Sequence, residues 1–159
     1  MEIYLLRHGD AEDSPRIPDT ERSLTAEGRR KLGAVLLRAR AAGAGASLIL
    51  SSPLRRAVET AELAAGLLET SVAILPTNAL MPDASPAEVW DEIRIHRDQS
   101  KLLLAGHQPL LGVTVAYLLG AADAAVEMRK AALARVDLDE FGGVPRGLLR
   151  WLLPPELAG

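Results

Sequence analysis

The chain contains no cysteine. That absence removes disulfides from its stability and a thiolate nucleophile from its chemistry, so Cys-based phosphatase chemistry is excluded. Aromatic residues are nearly missing as well, at 3% of 159 residues, although 48% of the chain is hydrophobic. The interior therefore has to be built from Leu, Ala, Val and Ile. No apolar run approaches the ~20 residues of a membrane helix. Met1-Glu2 leads straight into a short strand with no leader segment before it, so the expectation is a soluble, cytoplasmic protein with no membrane partner. An excess of positive charge is also lacking: the formal net charge is −3, which argues against a nucleic-acid partner while leaving room for a local cationic pocket. No Gly-rich loop runs into Lys and Ser or Thr to cradle a nucleotide. No cluster of Asp and Glu is set to hold Mg²⁺. Neither a cofactor nor a metal is expected.

What is present is an alternation of strand-like and helix-like segments over a length that suits one domain, residues 1–159. Strands are expected at Ile3–Arg7, Ser47–Leu50, Val72–Leu75 and from Lys101, and a closing antiparallel hairpin at Ala132–Leu138 and Gly147–Leu153. Helices are expected from Thr25 to about Ala42, from Ser52-Pro53 to about Leu68, from Pro86 to about Arg97, and from Pro109 to near Gly120. In the second of these, Ser52 reads as the N-cap, and Leu54, Val58, Ala61 and Leu63 or Ala65 read as the buried side. The pattern implies an α/β fold: a three-layer α/β/α sandwich around a mostly parallel sheet of about six strands. The polar stretch Asp10–Leu24 reads as a loop.

Two of the three histidines stand directly behind an apolar strand and beside a glycine: Arg7-His8-Gly9 after Ile3–Leu6, and Gly106-His107 after Leu102–Ala105. The carboxyl ends of strands are where open α/β sheets place ligands. Gly9 permits a tight turn and close approach of a ligand. Arg7 offers a planar fork of donors for phosphate. His8 offers a nitrogen that can attack phosphorus or carry a proton. Arg55 and Arg56 add two cations to the start of a helix, an end already partly positive, which is unfavourable unless an anion binds there. Helical spacing sets them about 100° apart, so one of the pair is free to face solvent. Arginines and histidines from three strand ends suit phosphoryl transfer, with cations holding the phosphate while a histidine attacks. His96, Trp90 and Trp151 read as a helix-end residue and two packing residues.

Arg7-His8-Gly9, Leu24-Thr25-Ala26-Glu27-Gly28, Ser52-Pro53-Leu54-Arg55-Arg56-Ala57-Val58-Glu59-Thr60 and Gly106-His107 resemble, in this order, the motifs of the histidine phosphatase superfamily. The resemblance runs over essentially the whole chain. It implies the phosphoglycerate mutase-like fold, His8 as nucleophile, and Arg7, Arg56 and His107 around the phosphate. Ala57 and Thr60 fix the register that selects Arg56 over Arg55.

Arg7–Ala11, Gly106–Gly112 and the strand Ala132–Asp139 look like the small phosphohistidine phosphatases typified by SixA. Only about 25 residues lie between the third and fourth strands, close to one crossover connection, where larger relatives build a lid. Mutase-like members carry a glutamate acid in a Leu-x-Glu pattern; here Leu80-Met81-Pro82 puts Pro82 in its place. Asp83 or Asp10 is left as a substitute acid, or none at all. The implied activity is metal-independent hydrolysis of phosphohistidine on a protein such as a histidine phosphotransfer domain. The alternatives are a broad small-molecule phosphomonoesterase and a non-catalytic phosphate-binding module.

Overall fold

A computed structural model describes residues 1–159. The strands are β1 (Glu2–Arg7), β2 (Leu48–Ser51), β3 (Ile74–Pro76), β4 (Lys101–Gly106), β5 (Leu133–Asp137) and β6 (Leu148–Leu153). The helices are α1 (Ala26–Ala41), α2 (Arg55–Leu67), α3 (Pro86–Ile95) and α4 (Leu110–Leu118). One sheet takes the order β3-β2-β4-β1-β5-β6. β3, β2, β4 and β1 pair in parallel, while β5 runs antiparallel to both β1 and β6. This is the expected α/β sandwich with its closing hairpin.

Alternation along the buried strands divides the core in two. Ile3, Leu5, Leu50, Leu102 and Leu104 face α3 and α4, meeting Trp90, Ile93, Leu111 and Val115. Tyr4, Leu6, Ile49, Leu103 and Ala105 face α1 and α2, meeting Leu32, Leu36, Ala61 and Ala64. Trp90 is buried and donates its indole N–H to the Gly143 carbonyl at 3.0 Å, and half-buried Trp151 packs against Tyr4, as expected of packing residues.

Three local details differ from expectation. β3 begins at Ile74 rather than Val72 and reaches Pro76; it is an edge strand, where a missing backbone N–H breaks no ladder. The buried face of α2 is Arg56, Ala57, Thr60, Ala61 and Ala64, whereas Val58, Leu63 and Ala65 are only half covered. α2 packs on α1, and small alanines allow that close approach where larger side chains would hold the helices apart. Ser52 is not the helix cap; Leu54 takes the cap position without a side-chain bond.

Two glycines set the distances around the carboxyl end of β1. A Cβ on Gly28 would lie 2.3 Å from the Asp10 carbonyl oxygen, so only glycine lets the start of α1 abut the chain leaving β1. Gly9 serves packing rather than a left-handed turn: a Cβ there would sit 2.7 Å from Leu32 and 3.0 Å from the Gly28 carbonyl. Thr25 caps α1 by accepting the Gly28 N–H at 2.9 Å.

Candidate active site

β4 lies between β1 and β2, so the carboxyl ends of all three are adjacent. Backbone bonds continue the ladders past the strand ends: His8 N–H donates to the Gly106 carbonyl at 3.0 Å, and Ser52 N–H to the Ala105 carbonyl at 2.9 Å. This brings His8, Ser52 and His107 together on rigid backbone. A cavity of about 310 Å³ opens above them, lined by Arg7, His8, Arg56 and His107, with Arg22, Lys130, Gln108, Ala11, Asp13 and Pro82 completing the wall. All four residues singled out from the sequence therefore share one pocket.

The His8 and His107 rings lie 5.1 Å apart, centre to centre. Nδ1 of His8 is 2.7 Å from the Gly9 carbonyl oxygen. A carbonyl can only accept, so Nδ1 carries the proton and Nε2 keeps its lone pair. Burial pushes the His8 imidazolium down to about 4, and the charges of Arg56, Arg7 and Lys130 act the same way. His107 is driven down to about 3, by burial first and then by His8 and Arg56. Both rings are neutral near pH 7.

His107 Nε2 lies 2.7 Å from the Ser52 hydroxyl, which also accepts the Leu54 N–H at 3.3 Å. The Ser52 side chain thus orients a histidine of the site, a role hidden in the sequence by its resemblance to a helix cap. Nδ1 of His107 is buried with no partner, as are Nε of Arg7, Arg22 and Arg56. Arg7 is anchored by its Nη1, which donates to the Met128 carbonyl at 2.9 Å. Arg56, 6% exposed, donates from Nη1 to the Asp19 carbonyl at 2.8 Å. A cavity walled by Arg7, Arg22, Arg56 and Lys130 is suited to an oxyanion with many lone pairs.

Thr60 explains why its motif runs five positions past Arg55. Its hydroxyl donates to the Arg56 carbonyl at 2.7 Å and accepts the Gly9 N–H at 3.3 Å, tying α2 to the end of β1. Arg55 points away and is exposed, 3.7 Å from Glu59. Of the candidate acids, Asp83 is exposed and absent from the wall, which Pro82 reaches instead. Asp10 is held by Lys31 at 3.2 Å and Lys130 at 3.6 Å. The one carboxylate on the wall is Asp13, from the polar stretch that the sequence marks only as a loop. His96 caps the far end of α3 beside Glu92, away from the pocket. No three His, Asp or Glu side chains converge as a metal site would require.

Residues 3–79 match the sequence model of the histidine phosphatase superfamily (branch 1). An uncharacterized protein of Picosynechococcus sp. is 36% identical over 118 residues, 70% of this chain and 69% of that protein. The solved structure of the protein histidine phosphatase SixA complexed with tungstate superposes with a TM-score of 0.86 at 26% identity, covering 98% of this chain and 97% of that one. The α-ribazole phosphatase of Shigella flexneri shares the fold at a TM-score of 0.69 and 18% identity, over 98% and 97% of the two chains. The chain belongs to the histidine phosphatase superfamily. It is a phosphatase, and its whole-length likeness is to the SixA type. No helix is long and apolar enough to cross a membrane.

Proposed function

We propose that this phosphatase hydrolyses phosphohistidine on a protein, with a cytoplasmic histidine phosphotransfer domain as the fitting substrate. The observation that carries the reaction is the Gly9 carbonyl bond, which leaves His8 Nε2 with a free lone pair among buried cations. Nε2 attacks phosphorus as the substrate's P–N bond breaks. The departing imidazole takes the electron pair and a proton from solvent water. Water then attacks the phosphorus on His8, its P–N bond breaks, and orthophosphate leaves with His8 neutral again. Arg7 and Arg56 neutralise the equatorial oxygens, and His107 lies beside them on the same wall.

Two features support a phosphoramidate on a protein. Residues 77–85, between β3 and α3, form a short connection with one turn of 3-10 helix and no lid. Pro82 is on the wall, at the position where the resemblance to mutase-like members places a glutamate acid. An imidazole leaves readily once protonated, whereas an alkoxide does not. SixA is named a protein histidine phosphatase, in agreement with this reading. Asp13 on the wall is the feature that favours the second reading, a phosphomonoesterase for small molecules, as the α-ribazole phosphatase is named.

The deciding experiment compares kcat/KM on a phosphorylated histidine phosphotransfer domain with that on a panel of sugar and glycerate phosphates. The phosphoprotein is expected to be the better substrate; a faster alkyl ester sinks the proposal. Acid-quenched trapping should label His8, and His8→Ala should yield no phosphoenzyme. Because arginines supply the positive charge, turnover is expected to persist in excess EDTA. Loss of activity on chelation, restored by one divalent metal, would overturn that part.

A further inference from the structure

Arg7, Gln108 and Lys130 belong to two walls. They line the phosphate cavity and, with Asp10, Met128 and Arg129, a second cavity of about 470 Å³. Lys31, Pro155 and Glu156 in turn line both that cavity and a third of about 300 Å³, which reaches Arg30 on α1. Three cavities with shared walls form one trough, from His8 past the loop before β5 to the exposed side of α1. Small-molecule sites are mostly apolar and enclose their ligand. The two outer cavities have one hydrophobic side chain apiece, Met128 and Ala34, so their lining resembles the polar rim of a protein interface instead.

The trough is cationic on a chain whose net charge is −3. Its cations beyond Arg7 are Arg30, Lys31, Arg129 and Lys130. Its side-chain carboxylates are Asp10, Glu127 and Glu156, and each is already held. Asp10 is shared by Lys31 at 3.2 Å and Lys130 at 3.6 Å, while Arg129 lies 3.5 Å from Glu156 and 3.7 Å from Glu127. Two ammoniums on one carboxylate keep N–H donors to spare, and both lysines are half exposed. A positive trough that ends at the phosphate pocket is complementary to an acidic surface around the phosphorylated group. We infer that the trough docks an acidic segment of the phosphoprotein substrate, the surface beside its phosphohistidine, with Arg30, Lys31 and Arg129 as docking residues outside the phosphate pocket. This docking rests on the phosphohistidine reading of the pocket, and it selects the protein that carries the phosphate.

The test compares kcat/KM on two substrates: free phosphohistidine, and a phosphorylated histidine phosphotransfer domain with carboxylates beside its histidine. The whole chain is set against its double variant Arg30→Glu, Arg129→Glu. Both arginines lie off the phosphate cavity wall and are more than half exposed. On the phosphoprotein the variant is expected to lose about tenfold or more, the range of electrostatic steering, along with most of the parent's salt dependence. On free phosphohistidine it should match the parent, because that substrate does not extend into the trough. Changing the domain's carboxylates to amides is expected to slow the parent by a similar factor and the variant hardly at all, the coupling that direct contact produces. Unchanged phosphoprotein kinetics in the variant overturn the inference. Equal losses on both substrates also overturn it, because they mark damage to the phosphate pocket. If the double reversal does not fold, Arg30→Gln and Arg129→Gln carry the same comparison. A parent that hydrolyses free phosphohistidine but no phosphoprotein overturns the phosphoprotein reading together with the docking. A parent active on the phosphoprotein, with variants that match it, overturns the docking alone.

Discussion

Neighbouring residues with one side-chain chemistry have opposite fates in this site. Arg55 and Arg56 differ in sequence by one step, yet Arg56 is buried on the cavity wall and Arg55 reaches out to Glu59. Arg56→Ala is expected to lower kcat/KM by about a hundredfold or more, since a donor aimed at developing charge is worth roughly 3 kcal/mol. Arg55→Ala removes only an exposed pair, worth about 0–1 kcal/mol, and should change activity little. Steady-state kinetics of the two variants decide it, and equal losses would contradict the assignment. This choice was legible in the sequence because Ala57 and Thr60 set the register. Ser52 was not, because its helix-start signature explained it completely. Asp13, Arg22 and Lys130 were also hidden: they lie in irregular segments, where no periodicity says which way a side chain turns.

The elements themselves read well wherever hydrophobic period and caps agree. α1 follows the spacing of Leu32, Val35, Leu36 and Ala39, with Thr25 as its cap and Gly43 in the left-handed conformation just past its end. α2 was placed correctly, and Leu54 and Ala61 are buried as expected, but Val58, Leu63 and Ala65 are only half covered. Hydrophobicity favours Val58 and Leu63, while the interface with α1 selects Ala61 and Ala64 for their size. Tight contacts of this kind give Gly28→Ala an unusual sign. In an open helix the change would add about 1 kcal/mol of stability. Here the new methyl meets the Asp10 backbone at 2.3 Å, and overpacking against atoms that cannot rotate away costs about 1–3 kcal/mol. Gly28→Ala is expected to lower the melting temperature, and to lower kcat as well because Asp10 follows Gly9 directly. A variant as stable as the parent would show that the loop yields freely.

At the scale of the whole molecule, two buried neutral histidines make stability depend on pH. In the unfolded chain each takes up a proton near 6.5, whereas in the folded chain His8 holds out to about 4 and His107 to about 3. Their contribution is complete above about pH 6.5, declines as the pH falls, and is gone below their folded values. Urea denaturation between about pH 7 and pH 4 should show stability falling with acid. A His8→Asn, His107→Asn double variant should fall less steeply. Equal slopes would mean that both rings titrate normally. The position of β4 has a consequence of another kind, in the order of events at the ribosome. Glu2 pairs with Lys101 and Leu48 with Leu102, so the strand that joins β1 to β2 emerges long after both. A nascent chain halted before Lys101 carries two apolar strands with an unfilled slot between them, a species that invites chaperones or foreign strands. His8 waits there without Gly106 to accept its N–H, so the pocket cannot be assembled until β4 and the segment after it have emerged.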